Sequence, residues 1–353
     1  MTIRQVAERA GVSPSTVSNL LNGRDGRMQP RTRQRVVQAI ATLGYQPNLV
    51  ARQLRTGQVR SVGLVVPSVA NPFWGGLARA VEGEALRHDR QILLCNSERD
   101  PGRERAYVQE LFASGVRAVI IGSSLPSLEH LLPAMERGLC LIAFDRETQP
   151  GDPPGLISVS VDNRLGSNLA TRHLLSIGHR RVGFISGPIA TVSRRQRLAG
   201  YHDALEASGI AYDPELVWVS DDEGGFGDVD STGRGEKGMV GLLRLISPPT
   251  AVVTINDMYA IGACAAARAA GIRVPEDISV IGFDDIVLAP LFNPPLSTVR
   301  QPLQDMARYA IDVVEGLRSR LEGGGQAVSV VMAPRLVVRE STAPPAGVAA
   351  SPG

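Results

Sequence analysis

Residues 2–23, TIRQVAERAGVSPSTVSNLLNG, decide how the front of this 353-residue chain folds. Thr2 followed by Gln5 is the pattern of a capping box, in which each side chain satisfies the other residue's free backbone N–H. Ile3, Val6, Ala7 and Ala10 recur at the spacing of one helix face, and Gly11 supplies the stop. Ser13 is placed to cap a second helix running to about Asn22, Pro14 suits its first turn, and Val17, Leu20 and Leu21 form its inner stripe. Two short helices across a glycine-containing turn make a helix-turn-helix, a unit that lays its second helix in the major groove of DNA. In that pose Ser15, Thr16 and Asn19 face the bases. A third helix, about Arg31 to Leu43, brings Val36, Ile40 and Leu43 to a small shared core, carries arginines on its outer face and stops at Gly44.

Charge points the same way. Residues 1–60 hold ten arginines against Glu8 and Asp25, a net of +8, while the remainder of the chain carries −6. A cationic head on a mildly acidic body suits a polyanion, because phosphate neutralisation releases counterions while the body resists indiscriminate binding. At 43% hydrophobic residues the chain is long enough for two or three folded units. It has no run of about 18 uncharged apolar residues and no apolar leader after Met1, so a soluble, cytoplasmic protein without a membrane partner is expected. Cys95, Cys140 and Cys264 lie far apart in apolar segments, which fits reduced core residues rather than a disulfide or metal framework.

From Ser61 onward, apolar runs such as VGLVVP, QILLCNS, AVIIGS and CLIAFD, then RVGFISG, AVVTIN and SVIGFD, alternate with helical stretches, the pattern of parallel α/β lobes. Crossovers near 157–163 and 288–300, with late strands in QAVSVVMAP and RLVVRE, predict two lobes that exchange chain segments around a cleft. Ligands in such sheets sit beyond the carboxyl ends of the strands. That rule selects Asn71 and Phe73, Asp145, Asn256 with Asp257, and Asp284. Asp145 fits either a ligand contact or a helix cap, Asp257 fits a cap better, and Phe73 and Trp74 also fit anchors of the helix that follows them.

The segments quoted above, together with LGYQPNLVARQLRTG, GHRRVGFISGP, RLAGY, INDMYAIGA, VPEDISVIGFDD and LSTVRQP, strongly resemble the lac repressor/galactose repressor (LacI/GalR) family of bacterial regulators over roughly residues 1–340. The resemblance implies an N-terminal all-α helix-turn-helix domain plus an α/β periplasmic-binding-protein-like domain of two doubly wound lobes. It divides the chain into a DNA-binding domain at 1–46, a hinge helix and linker at 47–60, an effector-binding and dimerisation domain at 61–340, and a disordered tail at 341–353. Within 61–340 the N-lobe takes about 61–160 and 290–322, and the C-lobe about 161–289 and 323–340. Leu54 matches the family's minor-groove wedge, with Arg52 and Arg55 beside it for phosphates. Arg197 and Asp284 match regular ligand contacts, Thr191 and Ser193 match supporting polar positions, and Phe73 matches the cleft wall.

The implied function is a repressor that binds pseudo-palindromic double-stranded operator DNA as a homodimer and responds to a small-molecule effector, a sugar by default. Departures from the family pattern are Asn19, where relatives often carry a larger basic reader, the loop GRDGRMQPRT at 23–32, slightly longer and more basic than usual, and the glycine-rich stretch 221–238, which reads as a mobile surface loop where relatives often place an aromatic residue over the ligand, with Phe226 or Trp218 as the alternative. Two other readings share the body: a sugar-binding receptor without DNA function, and an enzyme on the same scaffold. Against the second, the sole lysine, Lys237, lies outside any phosphate-binding loop pattern, and no nucleophile elbow or H-E-x-x-H pair occurs. His173 and His179 read as a helix-surface residue and a turn residue, so no catalytic residue, metal site or cofactor is expected.

Overall fold

Helices α1 (Ile3–Ala10), α2 (Pro14–Leu21) and α3 (Pro30–Leu43) form the head. The computed structural model describes residues 1–21, 25–26, 28–45, 60–221, 230–316 and 328–346, and the chain divides into two units, Met1–Val59 and Arg60–Gly353. The capping box forms: Thr2 N donates to Gln5 Oε1 at 2.8 Å and Gln5 N to Thr2 Oγ1 at 3.4 Å. Gly11 and Gly44 end α1 and α3 in the left-handed region that glycine enters without strain. Ser13 Oγ accepts from Thr16 N at 3.2 Å and starts α2. Val6, Ala7, Ala10, Val17, Val36 and Ala39 are the buried core of the head, while Ile40 and Leu43 pack at its margin, half-buried rather than central. Asn22 and the expected hinge, with Arg52, Leu54 and Arg55, lie outside the described residues.

The second unit has two parallel sheets. β1 (Ser61–Val66), β2 (Gln91–Asn96), β3 (Ala118–Ile121), β4 (Cys140–Phe144) and β5 (Ile157–Val161) build the first lobe, joined by β11 (Val328–Met332) in the order β11-β5-β4-β3-β1-β2. β6 (Val182–Ser186), β7 (Val217–Val219), β8 (Ala251–Thr254) and β9 (Ser279–Ile281) build the second in the order β7-β6-β8-β9. Both sheets reverse direction of growth after their first strand, between β1 and β3 and between β6 and β8, where doubly wound sheets open a crevice. β10 (Thr298–Arg300) and β12 (Arg335–Val337) pair antiparallel, and single bridges tie Ser297 to Ile281 and Arg300 to Asp284.

Helices α4 (Pro72–Arg87), α5 (Pro101–Ala113) and α6 (Leu132–Glu136) connect strands of the first lobe; α7 (Asn163–Ser176), α8 (Val192–Ala207), α9 (Ser231–Leu243) and α10 (Asp257–Ala269) belong to the second. α11 (Leu303–Glu315) returns to pack on α4.

This threading corrects three expected boundaries. Residues 296–300 stay with the second lobe, because Ser297 and Thr298–Arg300 bond to β9, Asp284 and β12. β11 belongs to the first lobe's sheet, pairing Val328–Met332 with Ile157–Val161, so 323–340 is split between the lobes. The C-terminal segment is bound at least to Ala343: Val280 N donates to Ser341 O at 2.8 Å, Ser341 Oγ to Val280 O at 2.6 Å, and Ala343 N to Ser279 Oγ at 3.0 Å. The apolar-poor composition of 341–353 concealed those backbone and hydroxyl bonds. His179 is also deeper than a turn residue should be, 1% exposed, with Nε2 at 2.9 Å from Ala343 O and Nδ1 at 2.8 Å from Thr250 Oγ1. Cys140 and Cys264 are buried as free thiols, and Cys95 is half-buried.

Candidate functional site

The carboxyl ends of both sheets meet at a narrow cleft lined by Asn71, Phe73, Trp74, Arg99, Asp145, Ser193, Arg194, Arg197, Ile255, Asn256 and Asp284. Seven of the eight positions named for effector contact therefore share one wall: Asn71, Phe73, Asp145, Ser193, Arg197, Asn256 and Asp284. Thr191 is not in the lining; its hydroxyl accepts from Arg194 N at 3.3 Å and caps α8.

Arg197 is the centre of the arrangement. Its Nε donates to Asn163 Oδ1 at 2.7 Å and its Nη1 to Ile255 O at 2.6 Å, while Nη2 lies 3.6 Å from Asp284 Oδ1 and 3.9 Å from Asp145 Oδ1. Its guanidinium stacks 3.6 Å from the centre of the Phe283 ring, a cation–π contact strengthened by the burial of both groups. Gly166 makes room for that ring: a Cβ there would stand 2.6 Å from Phe283 Cε2. Gln301 Nε2 donates to Asp284 Oδ1 at 2.8 Å and fixes the second carboxylate.

The lobes touch across the cleft. Ser124, beyond β3, lies 2.8 Å from Ser193 Oγ, accepts from Ser193 N at 3.0 Å and donates to Asp145 O at 2.9 Å, and its carbonyl accepts from Val192 N at 2.8 Å. Phe73 and Trp74 meet edge to face, with centroids 4.9 Å apart. Trp74 is thus both a core anchor and part of the wall, nested against Gly122, where a Cβ would sit 2.3 Å from its ring.

Asp145, Asp284 and Arg99 adopt left-handed φ values of 64°, 119° and 55°. Non-glycine residues reach that region at a cost of about 1–3 kcal/mol each, and such conformations concentrate at binding sites. Asn71 and Asn256 cap α4 and α10, accepting from Phe73 N at 3.0 Å and Tyr259 N at 3.1 Å. Asp257 was expected to cap α10; Asn256 does so instead. Asp257 is wholly buried, its carboxylate accepting from Ile286 N and the Thr298 hydroxyl. Burial, and then the charge of Asp284, push its pKa well above the usual carboxylate value.

Three lining residues escaped the sequence reading. Arg99 follows the carboxyl end of β2 and falls under the same rule that selected Asn71. Arg194 stands three residues before Arg197 and so shares its helix face, a signal present in the run SRRQR. Ile255 gave none, because it contributes through its backbone carbonyl.

On the head, Ser15 and Asn19 are exposed on α2, four residues apart on one face. Thr16 is half-buried with its hydroxyl 2.9 Å from Ser13 Oγ, so it is partly committed to the turn. Arg31, Arg33 and Arg35 are exposed on α3; Arg33 pairs with Asp25 at 2.9 Å.

Comparison with known proteins follows the same division. Residues 2–48 match the model of bacterial regulatory proteins, lacI family, and residues 171–342 match a periplasmic binding protein-like domain. The chain is 32% identical to the HTH-type transcriptional regulator DegA of Bacillus subtilis, over 97% of this chain and 98% of the relative. It is 34% identical to the HTH-type transcriptional regulator GalR of Escherichia coli, over 98% and 96%. Among solved structures it resembles the lac repressor dimer bound to operator and the anti-inducer ONPF, with a TM-score of 0.81 and 27% identity over 97% of this chain and 99% of the other. It also resembles a CelR–cellobiose complex, with a TM-score of 0.69 and 32% identity over the same shares.

Proposed function

This chain belongs to the lacI family of bacterial regulatory proteins, and from that premise we propose that it is a cytoplasmic homodimeric repressor whose hold on a pseudo-palindromic operator is set by a sugar or sugar derivative bound in the cleft. DNA-binding transcriptional regulation is the activity of its named relatives, which are regulators rather than enzymes. The observation that carries the effector half is the position of Arg197 between Asp284 and Asp145, at the mouth of two sheets, beside the aromatic pair Phe73 and Trp74. A guanidinium and carboxylates facing one another can donate to and accept from the vicinal hydroxyls of one ring, while the aromatic wall packs its apolar face.

For the DNA half, Ser15 and Asn19 offer donors and acceptors to base edges, and asparagine pairs well with adenine N6 and N7. The family resemblance gives Leu54 the role of minor-groove wedge and Arg52 and Arg55 the flanking phosphates. Coupling follows from differential affinity: a ligand that grips Asp145 in one lobe and Arg197 in the other favours one spacing of the lobes, and with it one arrangement of the dimer.

The test is linkage. A sugar or sugar derivative that raises the melting temperature is expected to change operator affinity by about 5–150-fold, the usual range of allosteric coupling. Arg197→Lys and Asp284→Ala are expected to abolish that change while binding operator normally. Persistence of the response in both variants would remove this cleft from the mechanism.

A further inference from the structure

One buried carboxylate serves the cleft without lining it. Asp257 is wholly buried and opens α10 directly after Asn256, which does line the space. Taking a carboxylate out of water is costly unless its oxygens are bonded. Here both are: Oδ2 accepts from Ile286 N at 2.9 Å, and Oδ1 accepts from the hydroxyl of Thr298, which is itself buried. The backbone of the same residue joins in, with Asp257 N donating to Phe283 O at 2.8 Å.

These bonds bracket a strained pair. Phe283 O and Ile286 N stand on either side of Asp284 and Asp285, whose φ values are 119° and 54°. Non-glycine residues hold such conformations only where their surroundings over-determine them. Thr298 closes the frame from β10: its hydroxyl donates to Asp257 and accepts from Asp285 N at 3.3 Å. Gly282 lets the carboxylate come this close, since a Cβ there would stand 2.1 Å from Asp257 Oδ1. Of the two bracketed carboxylates, Asp285 pairs with Arg300 and Arg339, while Asp284 lines the cleft.

Resting on the reading of this cleft as the effector site, we propose that Asp257 is a positioning residue for effector binding, a clamp that fixes the Asp284 carboxylate at a set distance from Asn256. It acts through the turn and makes no contact with the effector itself. Two groups that serve the sugar's hydroxyls, one from the end of β8 and one from the end of β9, are thereby held in register by a single side chain. A site whose contacts are held in place beforehand binds more tightly because less ordering remains to be done.

The experiment uses the full chain. Asp257→Asn leaves a single amide oxygen, which cannot accept both bonds, and Thr298→Val removes the hydroxyl at nearly unchanged volume. Thr298→Ser keeps that hydroxyl. Thr171→Val is the control for losing a buried hydroxyl elsewhere in the same lobe, one that donates to Ser167 O at 2.8 Å within α7.

Hydrogen exchange of residues 282–288 reads the clamp directly. Asp257→Asn and Thr298→Val are expected to speed exchange there about tenfold and leave that of α11 unchanged, the mark of local rather than global opening. Thr298→Ser is expected to restore slow exchange, and Thr171→Val to leave the turn as it is. Calorimetric titration with glucose, galactose, ribose and cellobiose reads the consequence. The sugar that binds the unaltered chain most tightly is expected to bind about tenfold more weakly to Asp257→Asn and Thr298→Val, the factor a hydrogen bond to a charged group is worth. Its affinity for Thr298→Ser and Thr171→Val is expected to be normal. Cooperative melts verify folding, and the Thr298 variants carry the comparison if Asp257→Asn fails that check. Unchanged exchange at 282–288 in Thr298→Val would overturn the clamp, as would unchanged sugar affinity in that variant or an equal loss in Thr171→Val. Silence from all four sugars toward the unaltered chain would instead contradict the sugar reading of the cleft, and the exchange rates would then decide the clamp by themselves.

Discussion

Gly166 shows how a single residue reaches the cleft without touching it. Its missing side chain lets the Phe283 ring lie under Arg197, and a Cβ would also stand 3.2 Å from Val299 Cγ1. Alanine at this helical position gains about 1 kcal/mol of helix propensity, while overpacking a filled core costs about 1–3 kcal/mol. Gly166→Ala is therefore expected to lower thermal stability only modestly but to weaken effector binding severalfold, as the displaced ring loses its stack on the guanidinium. Parallel melting and ligand titration measure the two effects; unchanged ligand affinity would show that Phe283 does not set the arginine. Such second-layer dependence was invisible in sequence. The run GFDD declared Asp284 by its place after a strand, whereas the pairing of Gly166 with Phe283 spans more than a hundred residues and needs the fold to bring it together.

At the scale of elements, the C-terminal segment is held on β9 by histidine contacts as well as by backbone bonds. His173 Nε2 lies 3.0 Å from Thr342 Oγ1, and His179 reaches Ala343 O, Ser279 Oγ and Thr250 Oγ1. Burial lowers the pKa of both rings from 6.5, so the folded state prefers them neutral. The resulting stability is complete above pH 6.5 and is lost as pH falls from 6.5 toward the depressed values, where the unfolded chain takes up protons first. Thermal melts between pH 7.5 and 5 are expected to show that decline, and His179→Ala to flatten it while lowering stability at pH 7.5 by about 1–3 kcal/mol through the polar groups it orphans. An identical pH slope in the variant would contradict this account of the segment. The first two helices of the head were legible because capping, stripe and stop all agree within 22 residues. Strand β11 was misassigned because a short apolar run states that it is a strand but not which sheet it joins; only its register with β5 settles that.

For the whole molecule, the division of charge is the dominant long-range feature: +8 in residues 1–60 and −6 in the remainder. The first unit has its own core of Val6, Ala7, Ala10, Val17, Val36 and Ala39, and the second has a separate, larger one. Family membership, two-lobed architecture and a helix-turn-helix head were all readable, since each rests on local pattern or on motifs in fixed order. The later boundaries between lobes were not, because the chain crosses between them through segments near 300 and 333 that carry no composition of their own. The most direct test of the account is equilibrium binding of the full chain to the palindromic duplex it selects from a random pool, against a scrambled duplex of equal length at about 0.15 M salt. Specific regulators prefer their sites by about 10³-fold or more. The account predicts a preference of that order for the selected duplex; equal affinity for the two, with and without a panel of sugars and sugar derivatives, would contradict it.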